Sequence, residues 1–459
     1  MSAREHEALR ARAADAVTAA ARRLADPAAA DHPTPEVSPF HAASLSDGAP
    51  GIALLHAELG AVAGGDPAHR DAALRWVRRA AALTALAGKT PAPGPQGLYG
   101  PLAALSFALH RTAGGPGAHS TARSHLRDQV AQLATARAAH EDRRLAEQPN
   151  ADADSGPASG SGSGSGSGFT TFTAYDVISG QSGLGAHLLE LGRPAEAALV
   201  RVLRALVGLS RPVRTHDRGL PGWWVALDGA SYQPVAPARG HANLGMAHGM
   251  PGPLALLAIA WREGVRVPGQ RAAVTDLAQW LLARRCADAA GPWWPGQLSL
   301  GPAQPEPGRP SWCYGTPGIA RALQLAGLAL EVPQWQEAGV EALRAALARA
   351  GLDGPARAGG TAEAGLCHGL AGLLQITWRA ARDSGDPELA ERVPQLAARL
   401  LDLLDEEGPF GFAAAPGERP PEEHPGGFLT GAAGAALALH TFARDAEPAT
   451  RWDRALLLA

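Results

Sequence analysis

Cysteine is scarce in this chain, with three residues in 459. That count rules out a disulfide framework and points to a reducing compartment. Charge of one sign is lacking too: 41 Lys and Arg stand against 44 Asp and Glu, a formal net charge of −3. Nucleic acid and anionic membrane surfaces therefore have no electrostatic hold on the protein. No apolar run reaches the roughly 18 residues that span a bilayer. The best, PGPLALLAIAW, is short and broken by Pro and Gly. The start, MSAREHEALRARAADAV, forms a charged amphipathic helix without the apolar centre of a secretory signal. Together these absences predict a cytoplasmic protein with no transmembrane segment. Alternating strand patterns are also missing over most of the chain.

What is abundant is a short glycine-rich element that recurs seven times. It reads SDGAPG at 46–51, GLYGP at 97–101, GQSG at 180–183, HGMPG at 248–252, CYGTPG at 313–318, CHGLAG at 367–372 and LTGAAG at 429–434. Each copy opens an apolar run rich in small residues, such as GIALLHAELGAVA or GIARALQLAGLAL, which reads as a short helix buried on most sides. Between the copies lie amphipathic stretches such as QRAAVTDLAQWLLARRC and DPELAERVPQLAARLLDLL, with Asp or Pro near their starts. Buried helix and exposed helix thus alternate seven times. The pattern predicts an all-α fold, an (α/α)7 toroid of seven inner and seven outer helices within a single domain over 1–459. The N-terminal helix and the terminal WDRALLLA are expected to complete the outer layer. The glycines would bring the inner-helix N-termini together at one end. The stretch 149–168, ending in repeated Ser-Gly, cannot bury a core and reads as a disordered surface loop.

Two of the three cysteines fall inside these elements. Alone, each would be an ordinary small buried hydrophobe, and a single His an ordinary core or surface group. The adjacent pair Cys367-His368, with Cys313 in the same setting one unit earlier, argues for more. Two thiolates and an imidazole suit Zn2+, and three protein ligands leave a fourth position for water or substrate. The spacing is not that of a zinc finger, so the ligands must converge from separate units. His248 occupies the matching place in the fourth element and is a proton-transfer candidate, with a capping or core His as the plainer reading. Asp176 in YDVISG could orient it, although alone it reads as a helix cap. Arg309, four residues before Cys313, could stabilise developing negative charge or be a surface Arg. The pairs Trp223-Trp224 and Trp293-Trp294, read as loop residues, more simply plug gaps between helices than line a binding surface. Cys286 reads as structural.

SWCYGTPG, LCHGLAG, AHGMPG, YDVISG and the seven elements together resemble the lanthionine cyclases, the LanC family, and their LanC-like relatives. The resemblance covers essentially the whole chain. It implies an α/α toroid with one Zn2+ ion, held here by Cys313, Cys367 and His368. It implies an enzyme that adds a cysteine thiol to dehydroalanine or dehydrobutyrine within a precursor peptide, forming lanthionine or methyllanthionine. His248 would be the proton-transfer residue, Asp176 its partner and Arg309 the basic residue beside the site. The length suits a free-standing cyclase working on a dehydrated precursor peptide, with room for a complex with a dehydratase and a transporter. The alternative is a non-catalytic LanC-like scaffold that binds zinc and peptide. A prenyltransferase-like zinc enzyme is disfavoured, because no basic patch for a diphosphate is found.

Overall fold

In the computed structural model the described residues are 2–30, 38–89, 96–112, 117–147, 169–215, 218–226, 240–300, 306–351, 363–405, 407–408, 410–412 and 426–459. The expected loop at 149–168 lies outside them. Among the described residues fourteen long helices alternate between two layers, numbered here in chain order. The inner ones are α2 (Ala49–Ala61), α4 (Pro101–Thr112), α6 (Gln181–Leu191), α8 (Pro251–Arg262), α10 (Thr316–Leu330), α12 (Leu370–Ser384) and α14 (Ala432–Arg444). The outer ones are α1 (Ala3–Arg23), α3 (Pro67–Ala87), α5 (Ser120–Ala146), α7 (Glu196–Leu209), α9 (Gln270–Leu282), α11 (Pro333–Arg349) and α13 (Pro387–Leu401). This is the all-α toroid that the periodicity predicts.

The two layers follow from side-chain pattern. In α2 every residue but Ala61 is buried, as befits a helix apolar all round. In α13 burial falls on Leu389, Val393, Leu396, Ala397, Leu400 and Leu401, one stripe at helical spacing. Three outer helices start on polar side-chain caps: Ser2 accepts from the Glu5 amide, Asp66 from the Ala68 amide and Asp386 from the Leu389 amide. The N-terminal α1 packs on α14 and α13 and so completes the outer layer, as expected.

The inner helices close into a ring, each touching the next and α14 returning to α2. The glycine-rich elements ahead of them are stitched by a matching circle of backbone hydrogen bonds. Leu45 donates to Tyr99 (3.1 Å), Tyr99 to Ile178 (3.2 Å), Val177 to Ala247 (2.9 Å) and Ala247 to Cys313 (3.3 Å). Cys313 donates to Cys367 (3.1 Å), Cys367 to Leu429 (2.9 Å) and Leu429 to Ser46 (2.7 Å). Seven segments distant in sequence are thereby fixed at one end, and their buried amides are satisfied. Glycine is required where a helix start presses on the turn before it. A Cβ at Gly318 would lie 2.4 Å from the Trp312 carbonyl oxygen, and one at Gly372 2.0 Å from that of Leu366. Those two carbonyls immediately precede Cys313 and Cys367.

The C-terminal segment departs from expectation. WDRALLLA does not join the outer layer; its residues 452–458 are each at most 2 % exposed and fill the middle of the ring. The Ala449 and Thr450 amides donate to Glu58 of α2 at 2.8 Å each, and Arg454 pairs with Glu190 of α6 and with Glu263 just past α8. Further along, the Leu456 carbonyl accepts from Trp312 Nε1 (2.9 Å), the Ala455 carbonyl from the Tyr99 hydroxyl (3.1 Å) and the Leu458 carbonyl from Arg321 Nε of α10 (2.9 Å). The segment is too apolar for a surface position, and the ring interior accepts it.

Three antiparallel pairs of three-residue strands decorate the helices: Val213–Thr215 with Arg218–Leu220, His241–Asn243 with Gln297–Ser299, and Cys286–Asp288 with Gly291–Trp293. Trp293 is therefore in a strand and not a loop. All four paired tryptophans are buried and act as plugs. Among the described residues no helix is long and apolar enough to cross a membrane.

Candidate active site

The backbone circle brings Cys313, Cys367 and His368 together at the glycine-rich end. Their ligand atoms lie within 4.8 Å of one another. Cys313 is buried, and the other two are half-buried. The hydrogen bond with Cys367 holds the Cys313 thiol well below its usual range, outweighing burial, with His368 and Ser311 adding to it. The same bond, then burial, pushes Cys367 well above its usual range. His368 is raised to about 9 by its bonds with Cys313 and Glu363. The two thiols are thus pushed in opposite directions beside a histidine that favours its charged form. Around a metal cation the set would be two thiolates and a neutral imidazole. Soft sulfur donors with one imidazole, three ligands in all, fit Zn2+ with one position left over.

His248 stands in the neighbouring unit. Its Nδ1 lies 2.6 Å from Asp176 Oδ2, and Asp176 is fully buried. Asp176 also accepts from the Ser179 amide (2.7 Å) and hydroxyl (3.0 Å to Oδ2), so its carboxylate is anchored on both oxygens. Phe172 meets the His248 ring edge-on at 5.6 Å, and Tyr314 lies 6.0 Å away. Asp176 is not the side-chain cap of α6, whose N-cap is Gly180; its backbone carbonyl accepts from Ser182 at the helix start, and its side chain holds His248.

One cavity of about 530 Å3 is lined by His248, Arg309, Cys313, Tyr314, Cys367 and His368, with apolar Ile178 and Leu429 beside them. The six residues singled out in the sequence thus come together, five lining the cavity and Asp176 directly behind His248. Arg309 reaches the wall, but its Nη1 is engaged by Glu363 Oε1 at 2.7 Å. The other carboxylate oxygen, Oε2, lies 2.7 Å from His368 Nε2. Burial works against the Glu363 carboxylate, yet His368 and then Arg309 bring it down to about 2. With Nε2 so engaged, Nδ1 is the His368 nitrogen available to a metal. Glu363 was not singled out in the sequence. Its only mark there is a carboxylate shortly before a Cys-His pair.

Fold and centre together define a helical toroid with a Cys2His site at the start of its inner helices. The chain belongs to the lanthionine synthetase C-like proteins, whose family model matches residues 39–457. It is 25% identical over 299 residues to the nisin biosynthesis protein NisC of Lactococcus lactis subsp. lactis. That match covers 62% of this chain and 64% of the relative, so it spans a little under two thirds of the relative's length. The fold is shared with the structure of a nisin cyclase at a TM-score of 0.67 and 20% identity, over 91% of this chain and 93% of that one.

Proposed function

We propose that residues 1–459 are one zinc-dependent lanthipeptide cyclase domain that closes thioether rings in a dehydrated precursor peptide. The observation that carries this reading is the meeting, in one cavity, of two thiols and an imidazole with a second imidazole held by a buried carboxylate. Cys313, Cys367 and His368 would hold Zn2+, which when bound supplies the means to keep a substrate cysteine as thiolate at neutral pH.

The reaction forms one C–S bond, and the proton lost by the sulfur must reappear on the α-carbon. His248 is suited to carry it. Nδ1–H donates to Asp176, which fixes the tautomer and leaves Nε2 to take the proton. Asp176 then stabilises the imidazolium until Nε2 returns the proton to the enolate carbon. Arg309, a guanidinium in the cavity wall, sets a positive field for the enolate oxygen. Ile178 and Leu429 give the cavity an apolar side for the alkene.

A dehydrated peptide incubated with the protein should lose free thiols, read by alkylation and mass spectrometry, with no change in peptide mass. Cys313→Ala should abolish both zinc binding and thiol loss while the helical circular dichroism persists. Zinc and peptide binding without thiol loss in the natural protein would instead support a scaffold role. Full cyclisation by Cys313→Ala would refute the metal reading.

A further inference from the structure

We propose that Glu363 is a positioning residue that fixes His368 and Arg309 together and so sets the metal affinity of the site; this rests on reading the site as a metal centre. Each oxygen of the Glu363 carboxylate has its own partner at 2.7 Å, Arg309 Nη1 on Oε1 and His368 Nε2 on Oε2. The carboxylate is only 16 % exposed, so it is held mainly by these two groups and little by water. An imidazole on a single-bond pivot can present either nitrogen to a ligand, because its terminal torsion is broad. A carboxylate on Nε2 removes that freedom: it fixes the ring and the proton, and aims Nδ1 at the thiols.

The placement of the three residues supports a built device and not a chance surface contact. Arg309 stands four residues before Cys313, and Glu363 four before Cys367. Equivalent positions in adjacent units thus carry an acid and a base that meet. Their ion pair ties the two cysteine-bearing turns from the side, in addition to the Cys313 amide on the Cys367 carbonyl at 3.1 Å. The main chain of Glu363 has a separate duty, its carbonyl accepting from Leu370 at 2.8 Å where α12 begins. A side-chain replacement therefore leaves that helix start in place.

The test compares the full-length natural protein with Glu363→Gln and Glu363→Ala. Zinc affinity is measured by competition with a chromophoric chelator, and the ligand field by Co2+ substitution. The expected order is natural, then Gln, then Ala, with Ala weakened about 10- to 100-fold, as other outer partners of metal-bound His behave. Sulfur-to-cobalt charge transfer should persist in all three, since both cysteines remain, while the ligand-field bands shift in Ala. Affinities equal within twofold across the series would overturn the proposal. A natural protein that takes up no metal would overturn the metal reading itself, a distinct result. Should Glu363→Ala fail to fold, the step from natural to Gln decides alone.

Discussion

Where the inner helices begin, the ring leaves a cavity and gathers polar groups around it. Behind that cavity the ring is filled by its own C-terminal segment, which runs from Glu58 and Glu190 in the last turns of inner helices up to Tyr99 and Trp312 at their starts, and ions are paired off inside. Asp453 there is fully buried and takes two bonds from Arg379, Nε to Oδ2 at 2.8 Å and Nη2 to Oδ1 at 3.1 Å, with a third from Gln375 at 2.7 Å. At the open end the mutual hydrogen bond lowers Cys313 and raises Cys367, and His368 is raised to about 9. Histidines in the wall go the other way: burial, the largest cause in each, lowers His56, His110 and His440 to about 4. One residue type is thus shifted oppositely in two regions of one fold, and the partner decides. A thiol and a carboxylate stabilise the charged ring; an apolar wall excludes it.

The largest effect should come from breaking the open end without touching the closed one. His248→Asn keeps an amide near the Nδ1 position for Asp176 but removes Nε2. Cyclisation should fall 100- to 10,000-fold, the usual contribution of a positioned proton-transfer group. Urea unfolding should shift by no more than about 1 kcal/mol, the scale of one hydrogen bond. Unchanged turnover would assign proton transfer to another group.

The converse is Asp453→Ala, which leaves the buried Arg379 guanidinium with only the exposed Glu447, at 3.5 Å, as counter-charge. Removing one member of a buried pair typically costs about 3–5 kcal/mol. The loss should appear in equilibrium unfolding, while zinc stoichiometry in the protein that remains folded stays at one. A loss below about 1 kcal/mol would mean that the closed end contributes little to the fold.

The two ends were also unequally legible in the sequence. The open end is written in glycines, because close approach excludes a Cβ and each unit repeats the demand. Cys313, Cys367, His368 and His248 therefore stand at matching positions and can be read without coordinates. Asp176 and Arg309 are less marked, since Asp before a helix and Arg in a loop have ordinary explanations. Glu363 stands four residues before Cys367, as Arg309 stands before Cys313, but that spacing alone does not reveal that its carboxylate meets both Arg309 and His368. At the closed end, WDRALLLA has the composition of a buried segment, but nothing local says whether it packs outside the ring or within it. The answer lies in partners such as Glu58, Trp312 and Arg321, 137 to 392 residues away along the chain. The short strands escaped because three residues are too few to display an alternation.

The histidine contrast is tested through pH. In the unfolded chain His56, His110 and His440 would titrate near their ordinary value of 6.5; in the folded chain they stay neutral until about 4. Between those limits the unfolded state binds more protons, so stability rises with pH across the window and is lost as pH falls through it. Each group should contribute roughly 2–3 kcal/mol by pH 4, since a tenfold change in proton affinity is worth about 1.4 kcal/mol. Urea midpoints from pH 7 to 4.5 should therefore decline steadily. His440→Leu should flatten the slope only in part, because the other lowered histidines, the fully buried His187 among them, still titrate. It should cost little bonding, since the His440 Nε2 is buried with no hydrogen-bond partner. The buried Asp453, held below the usual carboxylate range by Arg379 despite its burial, acts only at lower pH and leaves this window clear. A flat profile between pH 6.5 and 4.5 would mean that the wall accepts protons in the folded state. The opposed shifts of His56 and His368 would then not reflect a difference between the wall and the mouth of the ring.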